Sequence, residues 1–260
     1  QQPCVSRMDE SISLDELLDI YEGKLETVFP CYVQKNESSP EEDIQVSAFS
    51  SDEDQPCCRA PYIKQARPKV LIPAFPGTNC EMDSAKAVED AGASAKVIVI
   101  NNLTSDGINR SIEQFSKELE TSQMIFIPGG FSGGDEPDGS GKFITAFFRN
   151  AQIKDGVTKL LEERDGLICG ICNGFQALIK LGLVPYGRIT DTDENSPTLT
   201  FNTIGRHQSR IVRTRIVSCK SPWLRLVKPG DIVNVPVSHG EGRFLARRED
   251  IMKLAANGQI

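Results

Sequence analysis

Cys172 stands in Gly170-Ile171-Cys172-Asn173-Gly174, where an apolar run gives way to a helical pattern. Glycines two residues either side of a nucleophile permit a tight, strained strand-to-helix turn that lifts the side chain above the carboxyl edge of a sheet. A helix beginning just past Cys172 aims its first N–H groups and its dipole at the sulfur, which favours the thiolate. The same N–H groups can hold an oxyanion, so the chemistry implied is acyl transfer. The plainer reading is a structural cysteine buried beside a tight turn. Cys169 and Cys172 also spell Cys-Gly-Ile-Cys, a redox spacing. However, a thioredoxin-type pair needs both sulfurs at the helix start, and Cys169 falls inside the apolar run.

A second loop, Pro128-Gly129-Gly130-Phe131-Ser132-Gly133-Gly134-Asp135, follows another apolar run. Paired glycines leave backbone N–H groups able to turn toward a ligand, at the strand ends where open α/β sheets bind ligands. A phosphate loop does not fit. Glu136 stands where the first glycine of a Walker motif belongs, Phe143 stands where its Ser/Thr belongs, and Ile144 breaks Gly-x-Gly-x-x-Gly. An oxyanion loop facing Cys172 is the favoured reading, ahead of a plain glycine-rich turn. A thiolate nucleophile also needs a base oriented by a carboxylate. From the residues alone, His239 with Glu241 is the natural pair, in Val237-Ser238-His239-Gly240-Glu241-Gly242-Arg243, and His207 is the other imidazole.

The elements that must position these residues begin at Pro68. Strands are expected over 69–73, 95–100, 123–127 and 166–171, with helices over 79–92, 106–119, 142–150, 157–164 and 174–181. Strands alternating with helices imply parallel βαβ units with right-handed crossovers. Continuous apolar runs fit a sheet covered on both faces. The fold class expected is therefore α/β, a doubly wound, mostly parallel sheet flanked by helices. Additional β-strands follow near the C-terminus, over 199–204, 210–218 and 232–237.

The first quarter of the chain has a different character. Residues 1–67 carry 14 acidic and 6 basic side chains, whereas residues 68–260 carry 22 and 23, so the net charge of −7 belongs to the first segment. Residues 9–28 read as an amphipathic helix, with Ser13 and Glu16 forming a capping box. Residues 36–56 hold seven acids and no base, and residues 31–67 are expected to be an acidic, disordered linker. The near-neutral body gives no sign of a nucleic-acid surface. No stretch is long and apolar enough for a membrane helix. The N-terminus has no signal-peptide pattern. Eight cysteines without framework spacing and only two histidines fit reduced cytoplasmic thiols and no metal site.

Pro76-Gly77-Thr78-Asn79-Cys80, the 128–135 loop, Gly170-Ile171-Cys172-Asn173-Gly174-Phe175-Gln176 and His239-Gly240-Glu241-Gly242-Arg243 together resemble the glutaminase domain of phosphoribosylformylglycinamidine synthase. That domain is a flavodoxin-like class I glutamine amidotransferase of purine biosynthesis, and the resemblance covers 68–260. Residues 1–30 look like the tail of a preceding synthetase domain in the long, single-chain form. The resemblance implies that Cys172 attacks the side-chain amide of glutamine to form a thioester. The backbone N–H groups of Gly130 and Asn173 would make the oxyanion hole, and Gln176 would shape the glutamine pocket. Ammonia would pass to a synthetase domain of the same polypeptide, which carries ATP and Mg, while the glutaminase domain needs no cofactor. In this family the catalytic His and Glu belong to a His-x-Glu motif well past the His-Gly-Glu-Gly motif. The resemblance therefore implies a C-terminal truncation, with His239 and Glu241 lining the site or a synthetase contact. Two other classes compete: a cysteine hydrolase or deglycase of the same nucleophile-elbow architecture, and a non-catalytic docking module.

Overall fold

The computed structural model describes residues 4–7, 10–24, 65–132, 141–193 and 195–260. At the N-terminus, β1 (Cys4–Arg7) and β2 (Glu10–Ser13) pair antiparallel and lead into α1 (Leu14–Gly23). The Ser13 hydroxyl accepts from the Glu16 N–H at 3.1 Å, the N-cap half of the expected capping box. The helix is shorter than the span 9–28, because capping at Ser13 fixes its start and the residues before it are extended in the hairpin. The acidic stretch 36–56 lies outside the described residues.

The body is built on β3 (Lys69–Ala74), α2 (Glu81–Asp90), β4 (Ser94–Val99), α3 (Ser105–Leu119) and β5 (Met124–Ile127). After these come α4 (Lys142–Phe148), α5 (Ala151–Glu162), β6 (Leu167–Gly170), α6 (Asn173–Leu181) and α7 (Leu183–Tyr186). All pairings among β3 to β6 are parallel, and the sheet order is β4-β3-β5-β6. The chain thus steps out to one side of β3 and returns to its other side, the flavodoxin-type winding. Its crevice opens at the carboxyl ends of β3 and β5. Every residue from Val70 to Ala74 is buried, as a strand covered by helices on both faces must be.

Phenylalanines fill the space between sheet and helices. Phe75, Phe115, Phe143, Phe147 and Phe148 meet edge to face, with ring centroids 5.4–5.8 Å apart. Polar ties lock the rim of this core. Arg164 donates to the carbonyls of Leu119, Glu120 and Ser122 at 2.9, 2.6 and 3.1 Å, satisfying the end of α3. Lys69 at the start of β3 pairs with Glu118 in α3 and donates to Thr121.

Beyond α7 the strands are antiparallel, and they bring the last motif back to α6. β7 (Thr198–Thr200) pairs with β10 (Arg243–Leu245), while β8 (Gln208–Arg215) and β9 (Ile232–His239) form a two-stranded ribbon. The described chain closes with α8 (Arg248–Ala256). The sequence pattern misses β1, β2, β10, α7 and α8. Apart from α8 all are short, and β10 owes its conformation to pairing with β7 rather than to any apolar alternation of its own.

Candidate functional site

Cys172 joins β6 to α6 with φ 53° and ψ −111°, a conformation that a residue with a Cβ adopts only under constraint. Its two flanking glycines show what imposes it. A Cβ on Gly174 would lie 2.1 Å from the Ile127 carbonyl oxygen. One on Gly170 would lie 2.6 Å from the Gly174 carbonyl. The turn packs backbone against backbone, fixed by Ile171 N–H donating to Ile127 O (3.0 Å) and Gln176 N–H to Cys172 O (2.9 Å). The Cys172 side chain stands exposed at the start of α6, above the carboxyl edge of the sheet.

Cys169 behaves otherwise. It lies inside β6, paired with Phe126, and burial pushes its thiol pKa up, only partly offset by a hydrogen bond from the Gly170 backbone. One sulfur of the Cys-Gly-Ile-Cys spacing is thus in the sheet and the other on the turn, which is not the arrangement of a redox dithiol.

The neighbouring loop is clamped from below. Asn79 N–H donates to Gly129 O (2.9 Å) and Phe131 N–H to Gly77 O (2.9 Å), so the 76–80 motif props up the 128–131 motif. Gly130 at φ 114° and Gly77 at φ 85° sit where this approach leaves no room, since a Cβ on Gly77 would meet the Phe131 oxygen at 1.9 Å. Gly129 faces the nucleophile, and a Cβ there would be 3.1 Å from the Cys172 Cβ. Among the described residues, the Gly130 N–H has no hydrogen-bond partner. Residues 133–140, the second half of the loop, lie outside the described residues.

Gln176 and Asn173 are buried, at 7% and 2% exposure, and Asn173 Nδ2 donates to Gln176 Oε1 at 3.2 Å. Gln176 Nε2 in turn donates to the backbone oxygen of Glu241 at 3.0 Å. This bond brings the His-Gly-Glu-Gly motif to the helix that carries Cys172, across 65 residues of sequence. His239 is not oriented by Glu241. Its Nδ1 lies 3.0 Å from Asn202 Oδ1, and its ring lies where a Cβ on Gly242 would be. His207 Nε2 meets Ser238 Oγ at 2.9 Å on the exposed ribbon. The part played by Asn202 has no counterpart in the sequence reading. A lone Asn after a three-residue strand carries no motif, and only the fold reveals its partners. Among the described residues, no cluster of three or more His, Cys, Asp and Glu could hold a metal, and no helix is long and apolar enough to cross a membrane.

Comparison with known proteins covers the body of the chain. Residues 67–260 match the family of CobB/CobQ-like glutamine amidotransferase domains. Phosphoribosylformylglycinamidine synthase subunit PurQ of Methanococcus maripaludis strain C7 is 34% identical over 193 residues, which are 74% of this chain and 65% of that protein. The subunit of the same name from Dehalococcoides mccartyi is 35% identical over 188 residues, 72% of this chain and 66% of its own length. This chain thus spans about two thirds of those relatives. Among solved structures, PurLQS from Thermotoga maritima contains a chain similar at a TM-score of 0.51 and 25% identity, covering 69% of this chain and 70% of that one.

Proposed function

This chain belongs to the CobB/CobQ-like glutamine amidotransferase domain family, and from that membership we propose that it hydrolyses glutamine at Cys172 and supplies the ammonia to a synthetase. The synthetase would convert formylglycinamide ribonucleotide and ATP to formylglycinamidine ribonucleotide in purine biosynthesis. The names of the relatives support the pathway, and the strained backbone of Cys172 is the observation that carries the chemistry.

The Cys172 thiolate attacks the side-chain carbonyl of glutamine. A carbon–sulfur bond forms, the oxygen becomes an oxyanion, and collapse expels the nitrogen, which takes a proton and leaves as ammonia. Water then cleaves the thioester to glutamate and regenerates the thiol. The N–H groups of Gly130 and of Asn173 stabilise the oxyanion. Gly130 N–H is unpaired among the described residues and next to Gly129, which faces Cys172, and Asn173 opens α6. Gln176 shapes the pocket from its buried place one turn into the helix. The base is assigned to neither His239 nor His207, since among the described residues neither imidazole hydrogen-bonds to Cys172.

The domain needs no cofactor, and ATP and Mg act in the synthetase. Its partner, whether the same polypeptide or a separate subunit, docks over the carboxyl edge of the sheet. There Leu103, Phe131 and Ile171, each just past a strand end, are 88%, 73% and 52% exposed. The reaction is one of cytoplasmic metabolism.

Diazo-oxonorleucine, a glutamine-like electrophile, tests the reading in the full-length protein. Labelling of Cys172 that free glutamine suppresses is expected. Labelling indifferent to glutamine would favour a cysteine hydrolase or deglycase of the same architecture. Absence of labelling would favour a docking module.

A further inference from the structure

We propose that Asn202 is a positioning residue for the glutamine site, acting through the 239–242 turn and Gln176; the inference rests on the glutaminase reading above. Asn202 directs its N–H and both ends of its side-chain amide toward this region, while its carbonyl accepts from Gly205 N–H at 3.0 Å. Its N–H donates to Gly240 O at 2.9 Å. Its Nδ2 donates to His239 O at 2.8 Å and to Arg206 O at 3.0 Å. Its Oδ1 accepts from Gly242 N–H at 3.3 Å and faces His239 Nδ1 at 3.0 Å. Two carbonyls on one side and a backbone N–H on the other fix which end of the amide is nitrogen. Oδ1 is an acceptor only, so His239 Nδ1 carries the proton of this contact.

A turn clamped in this way presents the Glu241 carbonyl to Gln176 Nε2 at 3.0 Å. Gln176 is nearly buried, and its amide orientation is set by that carbonyl on one end and Asn173 Nδ2 on the other. Asn173 follows Cys172 directly. With the Glu241 carbonyl displaced, the Gln176 amide can turn over, exchanging donor for acceptor beside the nucleophile's helix start. The path from Asn202 to the site is therefore a chain of contacts: turn, Glu241 carbonyl, Gln176, Asn173. Each link is a hydrogen bond of the fold rather than mere proximity.

The test compares two electrophiles at Cys172 in the full-length protein. Diazo-oxonorleucine must occupy the glutamine pocket, whereas iodoacetamide needs only an accessible thiolate. In Asn202→Ala the rate with diazo-oxonorleucine should fall about tenfold, the loss of one net hydrogen bond's worth of orientation. The iodoacetamide rate should stay within about twofold, and the KM for glutamine should rise more than kcat falls. Asn202→Asp keeps the shape and Oδ1 but places an oxygen against two carbonyls, so it should reproduce the defect even if the alanine variant folds poorly. Gln176→Leu should give a similar loss, and the double variant should be no worse than either single one. An unchanged ratio of the two rates, an equal fall in both, or additive losses would overturn the proposal. Wild-type protein that reacts with iodoacetamide but not with diazo-oxonorleucine would instead refute the glutaminase reading, and the assignment of Asn202 with it.

Discussion

Gly174→Ala adds one methyl group where the elbow has no space. The new Cβ would sit 2.1 Å from Ile127 O and 2.8 Å from Ile127 C, both backbone atoms of β5. That is short of van der Waals contact by about 1 Å, so either β5 or the start of α6 must move by that amount. Overpacking of this kind costs about 2–3 kcal/mol, or roughly 4–12 °C in melting midpoint for a domain of this size. The helix gains up to about 1 kcal/mol from replacing glycine, which is too little to reverse the sign. A displacement of about 1 Å at the nucleophile should slow diazo-oxonorleucine labelling of Cys172 by about a hundredfold. Gly156→Ala in α5 is the matched control. Its Cβ meets only the Leu119 side chain, at 2.8 Å from Cδ2, and the stability should stay within about 1 kcal/mol of wild type. Differential scanning calorimetry and timed labelling read both variants. A Gly174→Ala protein with wild-type midpoint and labelling rate would refute the claim that close packing against β5 sets the elbow.

Three further outcomes follow from the geometry. Peptide mapping after iodoacetamide treatment near neutral pH should find Cys172 modified and Cys169 untouched, because burial keeps the Cys169 thiol protonated to higher pH. Modification of Cys169 should appear only as the pH rises well above the ordinary thiol range. Glu118→Gln should lower stability by about 0.5–1 kcal/mol near neutral pH. Lys69 holds the Glu118 carboxyl below its usual pKa, so the pair's contribution is present above the carboxylate range and disappears as the pH falls through it. Denaturation of wild type and variant should therefore converge in acid, and a pH-independent difference would contradict the ion-pair account. Arg164→Lys should cost about 1–3 kcal/mol, since a single ammonium cannot serve the three carbonyls that the guanidinium fork reaches.

The sequence made much of this architecture legible because its signals are local. Val70 to Ile72 and Ile125 to Ile127 announce buried parallel strands by apolar continuity, and the glycines around Cys172 announce the elbow by spacing alone. The four strands of the parallel sheet differ from the expected ones by only a residue at their ends, where fraying and capping rather than pattern decide, whereas β7 stops four residues and β8 three residues short of the expected ends. What local reading misjudged was long-range. His239 and Glu241 look like a base and its carboxylate because they are two residues apart, yet the fold gives the His239 ring to Asn202 and the Glu241 carbonyl to Gln176. No periodicity encodes contacts spanning 37 and 65 residues. The antiparallel pairing of β7 with β10 was hidden for the same reason, as two three-residue strands have too few positions to show alternation.

Rapid quenching of full-length protein mixed with glutamine, followed by mass spectrometry of its peptides, tests the central claim most directly. The account predicts a glutamyl adduct on the peptide bearing Cys172, cleaved by hydroxylamine as a thioester is, and absent from Cys172→Ala. An adduct that persists in Cys172→Ala, or glutamine turnover that survives the substitution, would contradict it.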